Sequence, residues 1–211
     1  MKNKLYFLLL MALMASLSGI TAQTIDSCFI NMPLEQLPTL PVNSRKDLVD
    51  FYKNGRIAVM PESLGGEMTL KILSKDYIKI QTSTQTSFQI KILPINDSTS
   101  ILAVIHSASA PLKDSRLQFF TTGWKPIQNI DMQALTCLDF LDTEKAGKEL
   151  SDRFSGLCMR NFIYLEFQPD NTMLNASSSI KEDLPKELLE DFLPYLKDSV
   201  ALTWLDGRFE L

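Results

Sequence analysis

Between Arg56 and Thr122 the apolar residues recur at every second position. Met68, Leu70 and Ile72 alternate with Glu67, Thr69 and Lys71, and Ile78 and Ile80 alternate with Tyr77, Lys79 and Gln81. Phe88, Ile90 and Ile92 alternate with Ser87, Gln89 and Lys91. A period of two sends successive side chains to opposite faces, so each run reads as a strand with one apolar and one wet face. Ser74-Lys75-Asp76 and Asn96-Asp97-Ser98 punctuate the runs with turn chemistry. Short strands of this kind build an antiparallel meander, because strands of a parallel sheet are apolar on both faces. Ile101 to Ile105 is apolar throughout and suits a central strand; Arg116 to Thr121 adds another, and Gly123-Trp124-Lys125-Pro126 closes the region.

Helical spacing flanks this run. Ile25, Cys28, Phe29 and Met32 form one stripe, which Met32-Pro33 ends. Ser44 reads as the N-cap of a second helix, with Asp47 in a capping-box position, Leu48, Phe51 and Tyr52 inward, and Asn54-Gly55 as the stop. Arg45, Lys46, Asp47 and Asp50 are expected on its outer side as a charged, solvated surface. Beyond the meander, Glu144 to Phe154 predicts a helix, and Cys158 to Phe167 with Thr172 to Ser177 a hairpin around Pro169-Asp170-Asn171. Asp183 and Pro185 open a helix carrying Leu184, Leu188, Leu189, Phe192 and Leu193, which Pro194 ends or kinks. Val200, Leu202 and Trp204 then alternate toward an Asp206-Gly207 hairpin turn. Strands and helices are grouped, not alternating as βαβ units, so the class is α+β: antiparallel sheet with helices packed on one face. The expected units are residues 23–130 and 131–211, either as two similar α+β lobes or sharing one continuous sheet.

The N-terminus reads as a cleavable signal peptide over residues 1–22. Lys2 and Lys4 precede an apolar run from Leu5 to Leu17, and small and polar residues lead to Ala22. That run is too short to cross a bilayer, which takes about 20 residues. No Cys follows directly, so a lipid anchor is not expected, and the chain is assigned to the periplasm or the exterior. Removing Lys2 and Lys4 takes the formal net charge from −4 to −6. An acidic mature chain argues against nucleic acid as partner.

Export permits a disulfide. Of the three cysteines, Cys28 shares the first helical stripe and reads as a buried thiol, leaving Cys137 and Cys158 as the pair that can bridge. All three can equally be small core residues. A bridge of that span stabilises by about 3 kcal/mol in the chain-entropy picture.

His106 is the sole histidine, which excludes H-E-x-x-H and any multi-histidine metal site. A Ser-His-Asp triad or a Cys nucleophile would have to use it, yet it reads as an ordinary strand-end residue. Asp139, Asp142 and Glu144, and Glu187, Glu190 and Asp191, lie at helix starts or on polar helix faces, where solvated carboxylates are expected. No catalytic, cofactor-binding or metal-ligating residue is therefore assigned. Trp204 alternates with a core face, whereas Trp124, beside Gly123 and Pro126, is the candidate recognition residue.

Two segments carry a family likeness: Met32-Pro33 with Leu37-Pro38 and Asn43 to Tyr52, and the terminal Trp204-Leu205-Asp206-Gly207-Arg208-Phe209. Together they resemble an uncharacterised family of exported proteins from anaerobic Gram-negative gut bacteria. The resemblance implies export and an α+β fold and brings no activity or ligand. The leading expectation is a non-enzymatic soluble protein that binds another envelope protein or a surface polymer, on the strength of export, missing catalytic motifs and the polar strand faces around Gln81 to Gln89. The alternatives are a glycan or cell-wall hydrolase using dispersed carboxylates, and a small-ligand carrier.

Overall fold

The computed structural model describes residues 23–61 and 65–211; the signal-peptide segment lies outside them. Two antiparallel sheets carry the fold. The first is a seven-stranded meander in sequence order: β1 Val59–Pro61, β2 Glu67–Leu73, β3 Tyr77–Gln81, β4 Thr86–Pro94, β5 Ser100–Ala108, β6 Asp114–Thr121 and β7 Pro126–Ile127. The second has four strands, β8 Ile163–Phe167, β9 Met173–Ser178, β10 Val200–Leu205 and β11 Arg208–Glu210, in the order β11-β10-β9-β8. The protein is α+β, as the grouping of periods predicts. Asp206 and Gly207 both take positive φ, 47° and 89°, in the β10–β11 turn, a conformation that glycine and aspartate tolerate best.

One face of the large sheet is covered by α1, Ile25–Ile30, and α2, Val42–Lys53. Phe29, Leu40, Leu48 and Val49 pack there against Ile78, Ile80, Phe88, Ile90 and Leu102. Helix α2 begins two residues before the expected Ser44 cap. Extended Pro41 supplies the boundary, and its carbonyl accepts the first-turn N–H of Arg45 at 3.1 Å. Arg45 is not on the outer side. It is fully buried, and its guanidinium donates to the carbonyls of Phe29, Ile30, Met32 and Leu40. It thereby satisfies carbonyls that the C-terminus of α1 leaves unpaired. Lys46, Asp47 and Asp50 are exposed as expected.

The opposite face was expected to be wet and is not. Tyr77, Gln89, Lys91, Ser87 and Ser107 are all buried there. The second sheet lies over them, and its Leu165, Phe167, Leu174, Leu202, Trp204 and Phe209 share one core with Tyr77, Ile105 and Phe119. Segments 23–130 and 131–211 thus own separate sheets but bury them against each other. Strand β8 runs across β6, β5 and β4, and its unpaired edge is closed by side chains of the large sheet. The N–H groups of Ile163, Leu165 and Phe167 donate to Asp114 Oδ1 (3.2 Å), Ser115 Oγ (2.9 Å) and Gln89 Oε1 (3.1 Å). Gln89 also accepts from the Tyr77 hydroxyl and donates to the Leu165 carbonyl. Lys91, with no exposed surface, donates to Asp76 and to the carbonyls of Gln168 and Pro169. Buried polar groups are tolerable when satisfied in this way.

A third cluster stands beside the second sheet. Helix α3, Thr143–Leu157, is interrupted at Gly147 (φ 75°) and packs Phe154 against Phe192, Cys137 and Ile180. Asp142 caps it by accepting from the Lys145 N–H. The single helix expected from Asp183 is instead α4 Ile180–Asp183, α5 Lys186–Leu189 and a 3-10 turn at Leu193–Tyr195. Leu184 precedes Pro185 and is extended (ψ 144°), which breaks the helix.

Substituting Gln89→Ala strands the Phe167 N–H and the Tyr77 hydroxyl in the core. Urea denaturation is expected to show a loss of about 2 kcal/mol, against near-neutral Gln85→Ala in the exposed β3–β4 turn.

Candidate functional site

Strand register aligns Phe88, His106 and Arg116 in one row across β4, β5 and β6, and Ser87, Ser107 and Ser115 in the adjoining row. Alternation puts the two rows on opposite faces of the sheet. The first row borders an open groove of about 330 Å³, shared with Leu37, Thr82 and Thr86. His106 is half-buried, and its ring stands edge-on to Phe88 with centroids 4.8 Å apart. Burial lowers the tendency of its imidazole to take a proton, and the neighbouring charge of Arg116 acts in the same sense. Among the described residues His106 has no hydrogen-bonded serine, thiol or carboxylate, and the Arg116 guanidinium has no ion-pair partner. The groove thus combines a neutral imidazole, an exposed cation and the mutually bonded hydroxyls of Thr82 and Thr86 (2.7 Å).

A second open groove, of about 400 Å³, flanks the other side of the same strand end. It lies between β6 and the chain leaving β7, with Leu117, Ile127, Ile130, Met132 and Leu165 as apolar lining and Gln118, Gln128 and Asp131 as polar lining. Ser115 borders both grooves.

The other sequence candidates are engaged elsewhere. Trp124 is not an exposed recognition residue: it is buried against Phe120 and donates its indole N–H to the Cys28 carbonyl at 2.9 Å. Trp204 is in the core, donating to the Pro94 carbonyl at 2.7 Å. Cys137 and Cys158 are joined in a disulfide with Cα atoms 6.1 Å apart. Cys28 is buried, and burial pushes its thiol up to about 11. Asp139 holds the N–H and hydroxyl of Thr136, Asp142 the start of α3, and Asp191 pairs with Arg153 at 2.9 Å. Among the described residues no three His, Cys, Asp or Glu side chains are grouped to hold a metal ion.

A family model described as protein of unknown function (DUF3256) matches residues 17–209. The chain belongs to that family. A solved structure from Porphyromonas gingivalis W83, described as a domain of an uncharacterized protein, is similar to it with a TM-score of 0.71 and 25% identity. The match covers 88% of this chain and 96% of that one. No curated protein matches.

The lowered affinity of His106 for protons has a consequence for stability. Its folded value lies below the ordinary 6.5, so the unfolded chain binds the proton more readily. The stabilisation is complete above about 6.5 and is lost as pH falls through that value toward the folded one. The urea midpoint, followed from about pH 8 to about pH 5.5, is expected to decline, and His106→Gln to flatten that decline.

Proposed function

We propose that the chain is an exported, non-enzymatic binding protein of the bacterial envelope, and that it engages another envelope protein at the Ser115 end of β6. The observation that carries this reading is the pair of open grooves on either side of one strand end. Three of the six candidate carboxylates are engaged in structure, Asp139 and Asp142 at helix starts and Asp191 with Arg153, and none of the six lines either groove. Neither groove is an enclosed apolar cavity of the kind a small-ligand carrier requires. Export is supported by the charged, then apolar, then small-residue order of residues 1–22, and an oxidising compartment suits the Cys137–Cys158 bridge.

A photo-crosslinking amino acid placed at Gln118 tests the assignment, with Thr203 on the exposed outer face of β10 as control. A partner from envelope extract is expected to be captured from position 118 and not from 203. Capture only from 203, or turnover of a cell-wall or glycan substrate that His106→Ala abolishes, overturns the reading.

A further inference from the structure

A strand edge calls for backbone partners, and the described edges of this fold are unequally provided. The β8 edge is closed by Asp114, Ser115 and Gln89. Beside β11, Met132 bridges Phe209, whose carbonyl accepts the Gln133 N–H, and Gln133 Oε1 accepts the Leu211 N–H. Strand β1 ends in Pro61, which offers no N–H. Natural sheets guard their edges by such devices. Strand β6 differs. β7 pairs only Phe119 and Phe120 of it. Thr121 exchanges hydrogen bonds with Lys125 and Trp124 on the β7 side. The uninterrupted register from Ala108↔Asp114 to Ile101↔Thr121 therefore directs the N–H and C=O groups of Leu117 and Ser115 to that same side. Past Phe119 they have no strand partner among the described residues. The space where β7 would continue is the 400 Å³ groove, because the chain diverges from β6 after Ile127 and returns apolar side chains, Ile130 and Met132, to the far wall.

We infer that this groove takes an extended polypeptide segment of the partner, added antiparallel to β6 in line with β7, so that it prolongs the seventh position of the large sheet. This rests on the binding-protein reading and names its occupant. Alternating backbone donors and acceptors at Ser115 and Leu117 supply pairing that a polypeptide backbone matches. Leu117, Ile127, Ile130 and Leu165 offer apolar contact to every second side chain of the incoming segment, and the intervening ones face solvent and the polar Gln118.

The probe is a random octapeptide library panned against the intact chain, with the enriched peptide then resynthesised in two N-methylated forms. Methyl groups on the residues that pair with Ser115 and Leu117 are expected to weaken binding at least about tenfold, and methyl groups on the intervening residues to leave it unchanged. Bound peptide is expected to slow amide exchange at Ser115 and Leu117. Leu117→Pro removes the outward donor and is expected to lose the peptide, whereas Leu117→Val keeps it. The N-methyl comparison needs no variant and stands if Leu117→Pro misfolds. Equal sensitivity to both methylation phases, protection elsewhere, or failure to enrich any peptide overturns the inference. If Gln118 still captures a partner in that case, the binding site survives and only the strand mode falls; if it captures none, both fall.

Discussion

The fold depends on how one sheet edge is closed. Strand β8 carries outward N–H groups that a neighbouring strand would ordinarily take up, and here side chains of the large sheet do so: Asp114 and Ser115 from the start of β6, and Gln89 from β4. Because these acceptors lie along a diagonal from β6 to β4, they fix the direction in which the second sheet crosses the first. Lys91 anchors the far end by holding the Gln168 and Pro169 carbonyls of the β8–β9 turn. Apolar packing of Phe119, Phe167, Trp204 and Phe209 supplies the bulk of the attraction, but non-directional burial alone would not select this crossing.

The same arrangement explains what could be read from the sequence. Period-two alternation located β2, β3 and β4, and the apolar run Ile101 to Ile105 located the centre of β5, because local periodicity reports how a strand's faces differ. It does not report what covers a face. Gln89 and Lys91 look like solvent-facing residues by type, and only the arrival of β8, more than seventy positions later in the chain, makes them interior. Arg45 misleads for a related reason: a charged residue in a helix reads as surface until the carbonyls of a separate helix are brought around it. Trp124 sits in a turn that the sequence reads correctly, yet its indole reaches back to Cys28. In each case the missing information is a long-range hydrogen bond.

The two grooves were not visible in the sequence either. The larger arises where the chain leaves β7 after two paired residues, and no composition signal near Pro126 and Ile127 announces so short a strand; the smaller follows from the register of β4, β5 and β6. His106 was found, as a lone histidine must be, but its neighbours Phe88 and Arg116 follow only from register. Family membership adds a boundary for the fold without adding chemistry, since the similar protein from Porphyromonas gingivalis is itself described as uncharacterized.

The meander has a consequence for the order in which the molecule assembles. Every pairing from β1 to β7 joins neighbours in sequence, so the large sheet can be complete before residues beyond Ile127 take their places. Local pairings of this kind form early. During that interval the face destined for the second sheet is bare, and it carries Lys79, Gln89, Lys91, Ser87 and Ser107 among its apolar residues. Polar side chains on a bare sheet face lower its tendency to stick to other copies, compared with a wholly apolar face. The later strands then take over the hydrogen bonds that solvent had been supplying.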